Sequence, residues 1–229
     1  MTPDTRMIPP AAAGRNLPTG RAVRRMPLMR TLFIDFGNVL GYFDHTRAVD
    51  QLARHTDLTA AALDQAVYAG RAMDDYESGR LTTAEFYDLA RTSGGLRCTE
   101  AEFVAAFADI FTRNDEVCDL VPALARRYRL VLASNTCDAH YARYSADYAD
   151  VLTHFSALCT SHEARSRKPL PGFYAYCQAF AAAEPAECAF LDYLPKNIAA
   201  ANEFGWKGLL YTPGIDLAAA LAEVGVVID

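Results

Sequence analysis

The chain has 229 residues, 52% hydrophobic and 22% charged, with a formal net charge of −6. That is the composition of a globular protein with one large core, or a core domain carrying a smaller insert. It holds no stretch of 18 apolar residues that would span a membrane, and its acidic balance gives no electrostatic reason to expect nucleic acid as a partner.

Residues 1–30 hold six arginines and one acid, about +5 against about −11 for the rest. With Pro3, Pro9, Pro10, Pro18 and Pro27 and no helix or strand period, this segment reads as a disordered basic tail. It is Arg-rich and acid-poor like a targeting peptide but has no apolar region for secretion. The simpler expectation is a dispensable tail, or an upstream start with Met26 or Met29 as the true beginning.

The first ordered element expected is a short buried strand, Leu32–Phe33–Ile34, ending at Asp35 within FIDFGNVL. Gly37 and Asn38 then turn the chain and expose backbone N–H groups. Residues 44–113 contain no strand-like run and read as several helices. Thr82-Thr83-Ala84-Glu85 and Thr99-Glu100-Ala101-Glu102 are capping boxes, each opening a helix with an apolar stripe. Phe103, Phe107, Ile110 and Phe111 recur at helical spacing, a pattern of core packing before it is one of a ligand pocket. This stretch is expected to be a helical cap inserted after the first strand.

Four further apolar runs follow: Arg129–Ala133 ending at Ser134, Ala157–Cys159 ending near Thr160, Cys188–Leu191 ending at Asp192, and Gly208–Tyr211. Helical patterns separate them, notably Pro171–Ala183 and Asn197–Phe204, the latter closed by Gly205. Strands alternating with helices imply right-handed crossovers and a doubly wound parallel sheet, an α/β Rossmann-like core over 31–43 and 114–229. In such sheets ligands bind beyond the carboxyl ends of the strands. Asp35, Ser134 and Asp192 all fall at that edge.

Four features with chemistry meet there. Asp35 is a carboxylate at a strand end. In LASNT the Ser134 hydroxyl, with Asn135 and the amides that follow, can donate to an anion. In RKP the Lys168 ammonium suits a phosphoryl oxygen. FLDYLPKN supplies Asp192 and Asn197. A carboxylate nucleophile, a hydroxyl, a lysine and a second carboxylate suit phosphoryl transfer through an aspartyl-phosphate.

In this order the residues resemble the haloacid dehalogenase-like (HAD) hydrolases, subfamily I, over roughly residues 31–213. DFGNV is most similar to the branch whose first motif reads D-x-G-N-V/I, which includes sugar-1-phosphate phosphatases. SNTCDAHYARY and YESGRLTTAEFYDL resemble the same branch. The resemblance implies Asp35 as nucleophile, with Ser134, Asn135 and Lys168 on the phosphoryl group. It also implies magnesium held by Asp35, the Gly37 carbonyl and the fourth-motif acid Asp192, with Asn38 and Asn197 in support.

Two positions depart from the family pattern. Gly37 stands where most members carry the acid that protonates the leaving group, a loss worth about 10²–10⁴-fold in rate. An activity without it should favour good leaving groups, as in sugar 1-phosphates or acyl phosphates. Tyr193 stands where the branch has its usual magnesium-binding Asp, Asp192 is one residue out of register, and Lys196 adds a positive charge, so the metal site is expected to be weakened.

Other residues carry simpler readings. The six cysteines (98, 118, 137, 159, 177 and 188) show no C-x-x-C and no zinc spacing. They read as reduced thiols of a cytoplasmic protein. Cys137 has no histidine placed to activate it, and the five histidines show no ligand spacing. Glu163 and Arg165 precede Lys168 and are candidates to support the site. Three functions stay open: a magnesium-dependent phosphatase of a small phosphorylated metabolite, a non-catalytic relative that binds such a ligand or a protein, and a metal-free dehalogenase. The sequence assigns neither the substrate nor the oligomeric state.

Overall fold

A computed structural model describes residues 28–228. The basic tail lies outside the described residues as far as residue 27. In chain order the elements begin with strands β1 (Thr31–Ile34) and β2 (Gly41–Phe43). Helices α1 (His45–Leu52), α2 (Ala60–Tyr68), α3 (Arg71–Glu77), α4 (Thr83–Gly94) and α5 (Glu100–Ala108) come next, then β3 (Phe111–Arg113). Short helices α6 (Asp115–Cys118) and α7 (Val121–Ala125) lead to β4 (Arg129–Ser134), α8 (Asp138–Asp147), α9 (Ala149–Leu152) and β5 (Ala157–Thr160). The chain ends with α10 (Ser161–Ala164), α11 (Pro171–Gln178), β6 (Cys188–Asp192), α12 (Pro195–Phe204), β7 (Lys207–Leu210) and α13 (Leu217–Glu223). Among the described residues, no helix is long and apolar enough to cross a membrane.

Five strands form one parallel sheet in the order β5-β4-β1-β6-β7. Alternation along each strand sorts its side chains onto two apolar faces. Leu32, Ile34, Leu130, Leu132, Ala189 and Leu191 pack into one cluster. Phe33, Val131, Ala133, Cys188 and Phe190 pack into the other, where Phe33 stacks on Trp206 at 3.9 Å. Each fully buried large side chain contributes roughly 1.5–3 kcal/mol. Both faces are covered, which is why the strands read as continuous apolar runs.

The segment between β2 and β3 is helical and has a core built on Leu63, Phe86, Phe103 and Phe107, which Cys137 and Ala139 join from the sheet domain. Both capping boxes are formed: Thr82 and Glu85, and Thr99 and Glu102, exchange side-chain and backbone hydrogen bonds. The expectation of no strand within 44–113 is corrected by β3, which pairs antiparallel with β2, Phe43 opposite Phe111. Three-residue strands are too short to show a period, and this pairing joins positions far apart in the chain. Helix α11 stops at Gln178 and not at Ala183. Pro185 disfavours helical backbone just before it, and Ala182 adopts φ +51°.

One of the places where the helical segment meets the sheet domain is a tight turn. Gly79 has φ +65°, and a Cβ there would lie 2.2 Å from the His162 carbonyl oxygen. Beside it the Ser161 hydroxyl donates to the Glu77 carbonyl at 2.5 Å, and the Ala139 N–H donates to the Tyr76 hydroxyl at 3.2 Å.

Candidate active site

Register brings the acids together. Ile34 of β1 lies beside Leu132 of β4 and Leu191 of β6, so Asp35 and Asp192 follow in the next row at the carboxyl edge of the sheet. The Asp35 N–H donates to the Leu191 carbonyl at 2.9 Å. Lys168 arrives from the loop after α10, and its ammonium stands 2.7 Å from both Asp35 Oδ1 and Asp192 Oδ2. All three side chains are buried.

Two carboxylates and one ammonium leave a net negative charge in a desolvated place. Burial, with Asp192 adding, pushes Asp35 up to about 8 against the pull of Lys168. For Lys168 burial works downward, but the two carboxylates outweigh it and hold the ammonium above its ordinary value. Asp35 Oδ1 also accepts the Phe36 N–H at 2.8 Å, while Oδ2 has no protein partner among the described residues.

The other expected residues fall around this pair. Ser134 ends β4 and lines the same cavity as Asp35, Gly37, Asn135 and Lys168. Asn135 clamps Lys168: its Nδ2 donates to the Lys168 carbonyl at 3.0 Å, and its Oδ1 accepts the Lys168 N–H at 2.8 Å. Its side chain thus fixes the lysine backbone. Asn38 adopts φ +53° and donates its N–H to the Gly41 carbonyl at 2.8 Å, closing the turn that presents Gly37. Asn38 does not line the cavity, and neither do Glu163 or Arg165.

Asp192, expected among the metal ligands, is held differently. Its Oδ1 accepts the Leu194 N–H at 2.7 Å, Asn197 Nδ2 reaches its two oxygens at 3.1 and 2.9 Å, and Oδ2 carries Lys168. The side chain is fully buried and absent from the cavity wall, where Tyr193 stands instead. Two protein oxygens remain for magnesium without a hydrogen bond among the described residues: Asp35 Oδ2 and the Gly37 carbonyl. These fit an ion that keeps waters and takes its other oxygens from a phosphoryl group.

The cavity encloses about 360 Å³, within the usual range for small-molecule sites. Of its remaining walls, the sequence had marked Lys196 alone, as a positive charge near the site. The helical segment brings His45, Tyr68, Asp74 and Glu77, and the sheet domain brings Arg167, His140, Tyr144 and Lys196. His45 stacks on Tyr68 at 3.8 Å, and Tyr68 on Phe107 at 5.5 Å. Arg167 bridges the two parts through Asp74 and through Glu77, 2.7 Å away. Burial pushes Glu77 up to about 7, with Lys168 and Lys196 opposing. The signals were present in YESGR and RKP, but only folding sets those segments face to face.

No protein-family model matches the chain. A curated relative, flavin mononucleotide hydrolase 1 of Arabidopsis thaliana chloroplasts, is 36% identical over 63 residues, 28% of this chain and 26% of that protein. The chain thus matches about a quarter of that relative's length. Among solved structures, a HAD family enzyme from Bacteroides thetaiotaomicron superposes with a TM-score of 0.73 at 23% identity, covering 84% of this chain and 98% of that one. Its complex with magnesium and inorganic phosphate gives 0.72 at 23% identity, over 83% and 98% of the two chains. L-2-haloacid dehalogenase from Xanthobacter autotrophicus gives 0.59 at 19% identity, over 88% and 85%. The chain has the α/β fold of the HAD-family enzymes.

Proposed function

We propose that the protein is a magnesium-dependent phosphatase of a small phosphorylated metabolite, acting through an aspartyl-phosphate at Asp35. The observation that carries this reading is the buried Lys168 ammonium 2.7 Å from Asp35, on the wall of a cavity that also presents Ser134. Asp35 attacks the phosphorus with one carboxylate oxygen as the bond to the leaving oxygen breaks, and water then cleaves the aspartyl-phosphate, releasing phosphate and restoring the carboxylate. Lys168 and the Ser134 hydroxyl, with the amides after it, hold the phosphoryl oxygens where charge develops. Asn135 and Asp192 position Lys168, and Asn197 positions Asp192. Asp35 and the Gly37 carbonyl would hold magnesium, which when bound supplies positive charge to the phosphoryl oxygens. Residues 44–113 act as the cap, and its cavity walls select the substrate; residues 31–43 and 114–229 are the core.

Gly37 offers no acid for the leaving group, so sugar 1-phosphates and acyl phosphates are the favoured substrates. The relative named for flavin mononucleotide supplies a contrasting ester to test. Purified protein is assayed with acetyl phosphate, glucose 1-phosphate and flavin mononucleotide, with magnesium or EDTA, beside Asp35→Asn. Magnesium-dependent phosphate release that disappears in Asp35→Asn is the expected result. Release that survives in the variant, or none on any substrate, overturns the reading. Chloride release from 2-chloropropionate in its place assigns Asp35 to a carbon–halogen bond.

A further inference from the structure

The cavity floor offers a bare cation little. Among the described residues no group of three or more His, Cys, Asp or Glu side chains is placed to hold a metal. Asp192 has its two oxygens bound by Lys168, Asn197 and the Leu194 N–H at 2.7–3.1 Å and does not reach the wall. The next residue does reach it, and it is Tyr193, a neutral phenol with no formal charge to offer a hard dication. What remains is Asp35 Oδ2 and one backbone carbonyl. The charge of Asp35 is already shared with the Lys168 ammonium at 2.7 Å.

The wall charges act in the same direction. Asp74 and Glu77 line the cavity, but both are paired with Arg167. Lys168 and Lys196 line it as well. Counted over the wall, three carboxylates (Asp35, Asp74 and Glu77) face three cations (Arg167, Lys168 and Lys196), so a lone dication meets no net negative charge. A phosphoryl dianion changes the balance: it gives the lysines a counter-charge and gives the ion anionic oxygens that the protein does not supply.

We infer that the divalent cation and the phosphoryl group bind this site as a coupled pair, each weakly without the other, because Asp192 is committed to Lys168 and Tyr193 supplies no ligand charge. The inference rests on the reading of the site as one for a phosphoryl group. Coupling of this kind is reciprocal: each ligand raises the affinity for the other by the same factor.

The test is a binding experiment on the full chain without turnover. Manganese is titrated in place of magnesium and free ion is followed by its paramagnetic resonance signal, with and without saturating inorganic phosphate. Phosphate binding is measured by calorimetry with and without saturating manganese. The expected result is an increase of about tenfold or more, equal in both directions, within the usual range of coupling. Manganese binding of equal strength with and without phosphate overturns the inference, and so does the absence of binding with both present.

Two variants fix the cause. Tyr193→Asp places a carboxylate on the wall and should strengthen manganese binding without phosphate at least about fivefold, the lower end of ordinary coupling, while reducing the coupling. No gain in a folded variant overturns the assignment. Tyr193→Phe should leave the coupling as it is, and loss of manganese binding there would make the phenol a ligand and overturn it. A protein that binds the pair but hydrolyses no ester refutes the phosphatase alone; one that hydrolyses esters with a metal bound beforehand refutes this inference alone.

Discussion

The Lys168 ammonium donates to Asp192 Oδ2 at 2.7 Å with the two side chains 1% and 0% exposed. Strand β6 thereby sets the height of the lysine that faces Asp35. This buried pair gives the fourth apolar run a function that its sequence does not name: the acid anchors a cation.

Lys168→Met should therefore leave Asp35 and Asp192 buried without a counter-charge. Breaking such an arrangement costs about 3–5 kcal/mol at neutral pH. Without the ammonium nothing opposes the burial that already raises Asp35 above its unfolded value. A raised acid loses stability as pH rises, so the deficit should shrink toward pH 5. Urea denaturation of the variant and the parent at pH 7.5 and pH 5 checks both the size and the trend.

Asn135→Ala removes two hydrogen bonds to the Lys168 backbone, at 3.0 and 2.8 Å. At about 0.5–1.5 kcal/mol each, their loss should lower kcat about 10–100-fold while circular dichroism stays unchanged. An unaltered kcat would show that the lysine is held by Asp192 and the packing around it.

Gly79→Ala tests the junction between helical segment and sheet domain. Left-handed backbone costs a non-glycine residue about 1–2 kcal/mol, and the new Cβ would stand 2.2 Å from the His162 carbonyl oxygen. The expected destabilisation is more than about 2 kcal/mol, read from the urea midpoint. A smaller loss would mean that the turn can separate from α10 without penalty.

His140 gives a pH dependence. Its Nε2 lies 3.1 Å from the Phe107 carbonyl and its ring stacks on Phe107 at 4.3 Å. Burial holds it down from 6.5 to about 3, with nearby His45 adding to the effect. Between these values the unfolded chain binds more protons, so stability present above pH 6.5 is lost as pH falls toward 3. The slope is up to about 1.4 kcal/mol per pH unit. Denaturation of His140→Asn from pH 7.5 to 4.5 should be flatter by up to this amount; parallel curves would assign the acid sensitivity to other groups.

Much of the fold was legible along the chain because its signals are local. A strand buried on both faces must be apolar throughout, as Phe33 and Phe190 show. A helix start must supply acceptors, as Thr82 and Thr99 do with their glutamates. Asp35, Ser134 and Asp192 were legible because parallel strands deliver their carboxyl ends to one edge whatever the helices between them, and Lys168 was legible from its place in RKP before a proline-led helix. The partnerships at that edge were decided by tertiary structure. Whether Asp192 faces an ion or a lysine depends on register against β1 and on the height at which Asn135 holds Lys168. Those are distances across the sheet, with no trace in spacing along the chain. The pairing of β2 with β3 and the meeting of Arg167 with Asp74 and Glu77 have the same origin: each joins segments about 65 to 95 residues apart. For such contacts the free energy comes from burial and charge pairing that exist only once the helical segment has packed against the sheet domain.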